Sequence, residues 1–202
     1  MQRATATTVP ANLIDALWPA TGVRQAVVVV WGALLVALLA QVRIPLPFTP
    51  VPITGQTFGV VLVGAGLGVA RGGAALLLYL LLGLVGLPFF AGGQGGPEHV
   101  FGATGGYLVA FVPAAMLVGW LARRGLDRRP VTAFLAFQAG SLVIFTLGVT
   151  GLMLTLDVSL WEACCLGWWP FVAGDLLKTA VAAGLFPAVW RLVGDHGSED
   201  LG

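Results

Sequence analysis

Long stretches without a charged residue dominate the hydrophobic pattern of the chain. They cover residues 25–42, 44–70, 72–97 and 130–156. Each contains at least the ~18 residues expected of a membrane-spanning helix. Taken with the apolar stretches near 103–122 and after 166, this pattern predicts an all-α membrane protein with six transmembrane helices, at about 24–43, 54–70, 72–88, 103–122, 131–156 and 166–191.

The arginines predict the orientation of these helices. Short loops rich in Arg and Lys mark the cytoplasmic side of a membrane protein. In the six-helix arrangement every arginine except Arg43 falls on one side. Both termini are therefore predicted to be cytoplasmic. The chain divides into a short amino-terminal segment (1–23), a transmembrane substrate-binding domain (24–191) and a cytoplasmic tail (192–202).

Composition narrows the classes of function. Hydrophobic residues make up 58% of the chain and charged residues 9%, against roughly 25% charged in soluble domains. The net charge is +1, and no basic stripe interleaves with aromatic residues, so nucleic acid is not an expected partner. Two distant histidines and two adjacent cysteines are too few for a metal site, so neither a metal nor a cofactor is expected.

Two predicted outer loops have unusual compositions. In residues 44–52 proline recurs so regularly that the backbone cannot be helical, which predicts a stiff, extended lid. Residues 89–96 are rich in glycine, so a ligand could approach their backbone amides closely. A plain flexible connection is an equally good interpretation of this second loop.

Glycines interrupt the second and third predicted helices. Broken helices often border the substrate in transporters. Close helix packing is the alternative, because Gly64 and Gly68 have the small-residue spacing typical of helix contacts. The glycines alone do not decide between these two interpretations.

The segment Gly174-Asp-Leu-Leu-Lys178 carries the only lysine, one turn from an aspartate, within a long apolar stretch. A central charge costs about 2.5–3.5 kcal/mol to insert into a membrane, so intramembrane charged residues usually have a function. Helical spacing would place Trp168, Phe171, Asp175 and Lys178 on one face. This stripe predicts an outward-facing pocket with aromatic walls and a polar floor.

Such a floor suits a small ligand that has hydrogen-bond donors together with a carbonyl or anionic acceptor. An ionised aspartate only accepts hydrogen bonds, and a lysine ammonium only donates them. The structural alternative is an internal ion pair between Asp175 and Lys178 that fixes helix packing.

Several motifs, taken in order, resemble the BioY family of biotin transporters. They are Arg43-Ile-Pro-Leu-Pro, Pro50-Val-Pro-Ile-Thr-Gly-Gln-Thr-Phe58, Tyr79-Leu-Leu-Leu-Gly-Leu-Val-Gly-Leu-Pro88, Phe90-Ala-Gly-Gly93, Thr104-Gly-Gly-Tyr107 and Gly174-Asp-Leu-Leu-Lys178. The resemblance extends from about Arg43 to Lys178. It implies a six-helix substrate-binding (S) component of an energy-coupling factor (ECF) transporter, in the bacterial inner membrane, that captures biotin with high affinity.

The resemblance also implies roles for individual residues. Asp175 would accept hydrogen bonds from the ureido N–H groups of biotin, and Lys178 would donate to the ureido carbonyl or orient Asp175. The apolar thiophane ring would pack on Phe90, Tyr107 or Trp168. For the carboxylate, the candidates are Arg43, Gln94, Gln56 and the glycine-rich backbone amides.

The energy for transport must come from other proteins. The only lysine follows Leu177 rather than a glycine-rich turn, so the chain has no P-loop for ATP. The resemblance implies two cytosolic ATPases and a transmembrane coupling protein as partners, with the binding subunit toppling in the bilayer to release its ligand. Ala33 and Ala37 on the first helix resemble the docking motif of the family.

Two other classes of function bear comparison with a binding subunit. A membrane enzyme would need a nucleophile with a base, or paired carboxylates, and the membrane interior offers only Asp175 beside Lys178. No enzymatic activity is therefore predicted. A stand-alone, proton-coupled carrier for biotin or another small vitamin, with Asp175 as the proton relay, is the alternative.

Overall fold

The computed structural model describes residues 12–17 and 22–199 and is built mainly of helices. Most of the predicted segment 1–23 and the end of the predicted tail 192–202 lie outside the described residues. The helices are α1 (Leu13–Leu17), α2 (Gly22–Ala40), α3 (Gln56–Leu84), α4 (Pro97–Val100), α5 (Gly105–Arg123), α6 (Pro130–Leu156), α7 (Leu160–Gly167) and α8 (Val172–Glu199). Short 3₁₀ helices cover Leu126–Arg128 and Trp169–Phe171, and two short strands, β1 (Arg43–Ile44) and β2 (Ile53–Thr54), pair antiparallel.

Within the described residues, five helical segments are long and apolar enough to cross a membrane. They are α2, α3, α5, α6 and the stretch Leu160–Val193. The prediction of a helical membrane protein is thus confirmed.

Helix α3 doubles back on itself at Gly68. Gly68 has a φ of 79° and a ψ of −176°, a conformation outside the helical region. The side chain of Gln56 donates a hydrogen bond to the hydroxyl of Tyr79, although 23 residues of straight helix would separate these residues by about 35 Å. The two limbs of α3 are therefore antiparallel. The turn falls at Gly68, three residues before the predicted boundary at Arg71.

Most of the glycines in α3 permit close packing. A Cβ on Gly64 would lie 2.7 Å from the carbonyl oxygen of Ala115 in α5, and one on Gly72 would lie 3.2 Å from the Cα of Gly64 in the opposite limb. A Cβ on Gly119 of α5 would likewise lie 2.6 Å from the carbonyl carbon of Gly68. These contacts favour the packing interpretation for this part of the chain.

Arg71 holds the short helix α1 against the turn in α3. Its guanidinium donates to Asp15 Oδ2 at 2.8 Å, to Asn12 Oδ1 at 3.0 Å and to the Leu67 carbonyl at 3.1 Å. The hydrogen bond from Arg71 lowers the pKa of the Asp15 carboxyl. The charge of Arg71 is therefore used inside the fold.

The predicted docking residues Ala33 and Ala37 are buried in the structure of the chain by itself. Their exposed fractions are 1% and 7%, and both belong to the core cluster in which α2 packs on α3. Small side chains allow this close approach, so the pair faces inward. The outward face of α2 carries Trp31, Leu34 and Leu38.

The last predicted helix, 166–191, is not continuous. Helix α7 ends at Gly167, a 3₁₀ turn containing Pro170 follows, and α8 begins at Val172. Proline has no backbone N–H to donate to a preceding turn, which is consistent with a helix break at this point. As a result, Asp175 lies in the first turn of α8.

Gly68→Ala is expected to lower the free energy of unfolding by about 1–3 kcal/mol, because the backbone conformation at this turn is one that only glycine adopts readily. Its Cβ would also lie 3.2 Å from the side-chain nitrogen of Asn12. Thermal unfolding of the purified protein would measure the loss.

Gly66→Ala is the matched control. Gly66 lies in the same helix, and no atom comes within 4 Å of the place where its Cβ would lie, so alanine should be neutral or stabilising by up to ~1 kcal/mol. Equal destabilisation by the two substitutions would contradict a special role for Gly68.

Candidate binding cavity

A cavity of about 300 Å³ lies at the end of the bundle where α3 and α5 begin. This size falls at the lower end of the range for small-molecule sites, roughly 300–1,000 Å³. Its walls come from the proline-rich loop, the glycine-rich loop, the second 3₁₀ turn and five helices, α3, α4, α5, α6 and α8. Its lining includes Arg43, Val51, Thr54, Gln56, Phe90, Gln94, Glu98, His99, Tyr107, Phe111, Phe145, Phe171, Asp175 and Lys178.

The proline-rich loop covers one side of this cavity. Its two ends are extended and pair as β1 and β2. The Thr49 hydroxyl at its tip donates to the Leu166 carbonyl of α7 at 2.8 Å, and Val51 is buried beneath it. The loop, residues 44–52, is thus an extended lid, as its sequence predicts. It is called the flap below, and a hydrogen bond fixes its tip to α7.

Asp175 is the buried acid of the cavity, with 4% of its surface exposed. Its Oδ1 accepts a hydrogen bond from the Ser141 hydroxyl of α6 at 2.9 Å. It lies in the first turn of α8. Sequence reasoning missed Ser141, since nothing in the sequence of α6 links it to a residue 34 positions away.

Lys178 joins α8 to the base of the flap. Its ammonium donates to the Thr54 carbonyl at 2.8 Å and to the Thr57 hydroxyl at 3.0 Å. Lys178 and Asp175 both lie in the described part of the chain, and no ion pair joins their side chains. Both side chains line the cavity, which disfavours the purely structural interpretation of the pair.

Gln56 lies on the α3 side of the cavity and is held by two contacts. Its amide nitrogen donates to the Tyr79 hydroxyl, and its side-chain oxygen accepts from the Thr54 hydroxyl at 2.9 Å. These contacts fix its orientation and connect the two limbs of α3 to the flap.

Aromatic rings form the middle of the cavity. Phe90 packs edge-on against Tyr79 at 5.7 Å, and the absence of a side chain on Gly83 leaves room for its ring. The Tyr107 hydroxyl donates to the Gly167 carbonyl at 2.7 Å, which ties α5 to the end of α7. Phe90 and Tyr107, two of the three predicted aromatic residues, therefore lie where an apolar part of a ligand would fit.

Trp168 is the predicted site residue that does not line the cavity. It stacks in parallel on Phe145 with ring centroids 5.9 Å apart, so it lies behind a residue that does. The prediction assumed one continuous helix, but the chain leaves helical geometry at Trp168, with φ −125° and ψ −63°. Helical spacing holds for Phe171, Asp175 and Lys178, all of which line the cavity.

The remaining polar groups of the cavity come from the chain between α2 and α5. Arg43 is the arginine among its lining residues. Its guanidinium passes close to Gly92, where a Cβ would lie 2.7 Å from an Nη atom. The backbone of Gln94 closes the glycine-rich loop by accepting from the Phe90 N–H at 2.8 Å. Glu98 and His99, which sequence reasoning missed, follow on α4.

This arrangement suits a ligand with three chemically different parts. Asp175 accepts hydrogen bonds and Lys178 donates them, the aromatic rings offer apolar contact, and Arg43 offers a cation for an anionic group. A buried acid and a half-buried amine within apolar walls define a specific small-molecule site. The fold and the cavity therefore define a helical membrane protein that binds a small, partly apolar solute.

Comparison with known proteins identifies the family. Residues 6–195 match the model of the BioY family, so the chain belongs to the BioY family. It is 37% identical over 166 residues to the biotin transporter BioY of Rhizobium etli, covering 79% of this chain and 88% of the relative. It is 40% identical over 163 residues to the biotin transporter BioY of Rhodobacter capsulatus, covering 75% and 84%.

A solved structure has the same fold. The crystal structure of the S-component for biotin from an ECF-type ABC transporter aligns with a TM-score of 0.78 and 23% identity. The alignment covers 85% of this chain and 95% of that one. The fold described above is therefore that of an S-component.

Lys178→Met is expected to lower the free energy of unfolding of the ligand-free protein by roughly 1–3 kcal/mol, because it leaves the Thr54 carbonyl without its donor and removes a nearby cation that attracts the buried Asp175 carboxylate. Adding Asp175→Asn should recover part of this loss, since no uncompensated charge then remains. Thermal unfolding of the two single variants and the double variant would measure the coupling. A double variant that loses at least the sum of the two single losses would show that the charges do not compensate each other.

Proposed function

We propose that this protein captures biotin at the outer face of a bacterial cell membrane and is the substrate-binding component of an ECF-type transporter. The observation that carries the proposal is the placement of Asp175 and Lys178 together in the cavity of a BioY-family chain. The names of the relatives supply the ligand class, and the cavity supplies matching chemistry. Binding followed by transport, rather than catalysis, is the proposed activity.

The ureido ring of biotin matches the acid and the amine. Its two N–H groups donate hydrogen bonds, and Asp175 is an acceptor whose Oδ1 is already engaged by Ser141. Gln138 also interacts with this carboxylate, so the ligand would share it with both side chains. The ureido carbonyl is an acceptor suited to Lys178. The thiophane ring is apolar and fits between Phe90 and Tyr107.

The carboxylate of the valerate tail matches Arg43. A guanidinium can bind a carboxylate with two parallel hydrogen bonds, which is stronger than contact with a neutral amide. Gln56 is less suitable, because both polar atoms of its side chain are engaged by Thr54 and Tyr79. Gln94 lines the same cavity and can add a further contact.

The proposed membrane arrangement has six crossings and both termini in the cytoplasm. Counting the two limbs of α3 separately supports six crossings. The arginines support this orientation. Arg24, Arg71 and Arg191 lie outside the loops that line the cavity, whereas Arg43 lines the cavity itself. The cavity then opens outward, where the solute is found.

Transport would require partners that bind and hydrolyse ATP. A transmembrane coupling protein and two cytosolic ATPases are the proposed partners, since the chain has no P-loop. For Ala33 and Ala37 to contact the coupling protein, α2 would have to separate from α3, because both residues are buried where these helices pack. Two observations support these partners: the structural relative is named as part of an ECF-type ABC transporter, and this chain has no P-loop for ATP.

Asp175→Asn should weaken biotin binding at least roughly tenfold, because a hydrogen bond to a charged acceptor is about twice as strong as a neutral one. Isothermal titration of the purified protein would measure the affinity. Asp157→Asn is the control: Asp157 caps α6 with a φ of 53°, a conformation that asparagine tolerates. Unchanged affinity in a folded Asp175→Asn protein would exclude the role proposed for this carboxylate.

Arg43→Gln should weaken binding of biotin by roughly tenfold, since a hydrogen bond to a charged group is worth about 1.5–3 kcal/mol. It should leave binding of biotinamide, which has no carboxylate, nearly unchanged. Titration of both ligands against this variant and against Arg24→Gln, which changes an arginine outside the cavity, would test the assignment. Equal losses for the two ligands would place the carboxylate elsewhere.

A further inference from the structure

The connection between α5 and α6 carries four exposed arginines. Arg123 and Arg124 end α5, and Arg128 and Arg129 precede α6. They lie within seven residues, in a chain whose net charge is only +1. Neither the cavity nor the proposed biotin site uses them.

Two of these guanidinium groups lie over indole rings. Arg124 lies over Trp120 at 3.5 Å from the ring centroid, and Arg128 lies over Trp190 at 4.5 Å. Both arginines are exposed, and a guanidinium stacked on an aromatic ring can still bind an oxyanion such as phosphate through the N–H groups at its edge. Stacking also restricts the side chain before a ligand arrives, which reduces the entropy lost on binding.

The acid of this segment, Asp127, lies beneath the surface and interacts electrostatically with Arg128. Asp127 is fully buried, with 0% of its surface exposed. Its Oδ2 accepts a hydrogen bond from the Trp190 indole N–H at 2.7 Å, so it orients the ring on which Arg128 stacks. Its Oδ1 has no hydrogen-bond partner within the described structure. Burial also raises the pKa of the Asp127 carboxyl.

The adjoining helix adds a further favourable field. Helix α6 begins at Pro130, and no side chain caps its amino terminus. The partial positive charge at a helix amino terminus attracts anions. Exposed Val131 and Leu135 continue along α6 from this point. The surface thus changes from cationic to apolar over about one turn of helix.

We propose that this surface, termed the arginine platform and formed by Arg124 on Trp120 and Arg128 on Trp190, binds the phosphate of an anionic phospholipid. The two stacked arginines hold the headgroup phosphate, and Val131 and Leu135 contact its acyl chain. Basic pockets beside transmembrane helices are known to recognise anionic headgroups.

The position of the arginine platform favours a lipid over a soluble anion or a protein. Helix α5 is long and apolar enough to span a membrane, and it ends at Arg123. Trp120, one turn earlier, is 43% exposed, as expected for an aromatic residue at a membrane boundary. A ligand with a charged head and an apolar chain covers both parts of this surface.

The test compares lipid retention and thermal stability with defined lipids. The detergent-purified protein is mixed with phosphatidylglycerol or phosphatidylcholine, and bound lipid is counted by native mass spectrometry beside an unfolding scan. Phosphatidylglycerol should be retained and should raise the Tm more than phosphatidylcholine. In Arg124→Gln/Arg128→Gln its affinity should fall roughly tenfold or more, while biotin affinity, the folding control, is unchanged.

The charge-matched control is Arg24→Gln/Arg191→Gln, which also removes two positive charges but leaves both stacked arginines. It should retain phosphatidylglycerol nearly as wild type does. Equal losses in the two double variants would overturn the proposal in favour of general surface charge. Equal retention of both lipids by the wild type would overturn it as well.

A third variant, Trp120→Leu, keeps every charge and removes one of the two stacking rings. Reduced retention of phosphatidylglycerol is expected, because Arg124 is no longer held in place. The same Tm increase from inorganic phosphate as from phosphatidylglycerol would assign the site to a soluble anion and contradict the lipid proposal. Full retention in both Trp120→Leu and Arg124→Gln/Arg128→Gln would exclude the platform as the site.

Discussion

The structure depends on keeping an acid and an amine in one apolar cavity without letting them form a simple ion pair. A buried charge is costly unless hydrogen bonds satisfy it. Asp175 has the Ser141 hydroxyl and the amino-terminal turn of α8, and Lys178 has the Thr54 carbonyl and the Thr57 hydroxyl. Each charge is satisfied separately, so both remain directed toward a ligand.

The same contacts position the walls of the cavity. Lys178 ties α8 to the start of α3, Tyr107 ties α5 to the end of α7, and Thr49 ties the flap to α7. All three bonds use a backbone carbonyl as the acceptor. Such carbonyls are available where helices begin, end or give way to extended chain. Breaks in the helices therefore both create the cavity and provide the groups that close it.

The sequence predicts the outline of this fold because its main signals are local. The apolar stretches predict the helices, regular proline predicts the extended flap, and the spacing of Phe171, Asp175 and Lys178 predicts a shared face. The structure differs from the expected arrangement where chain direction or packing decides the outcome. The chain reverses at Gly68, whereas the sequence placed the boundary between two helices at Arg71. The helix break after Gly167 places Trp168 outside the cavity lining. Packing of α2 on α3 buries Ala33.

Residues that act across the fold could not be found from sequence. Ser141 reaches Asp175 only because α6 packs on α8, and Thr57 meets Lys178 across 121 residues of chain. Arg43 could be considered from sequence because it is the one arginine on the predicted outer side. Its contact with Gly92 depends on the folded glycine loop.

The central claim is that this chain alone forms a complete biotin site. Isothermal titration of the wild-type protein, purified without other subunits and shown to be folded, tests it most directly. Tight binding of one biotin per chain is expected, with displacement by excess unlabelled ligand in a parallel radiolabel assay. No heat and no bound radiolabel with well-folded protein would contradict it.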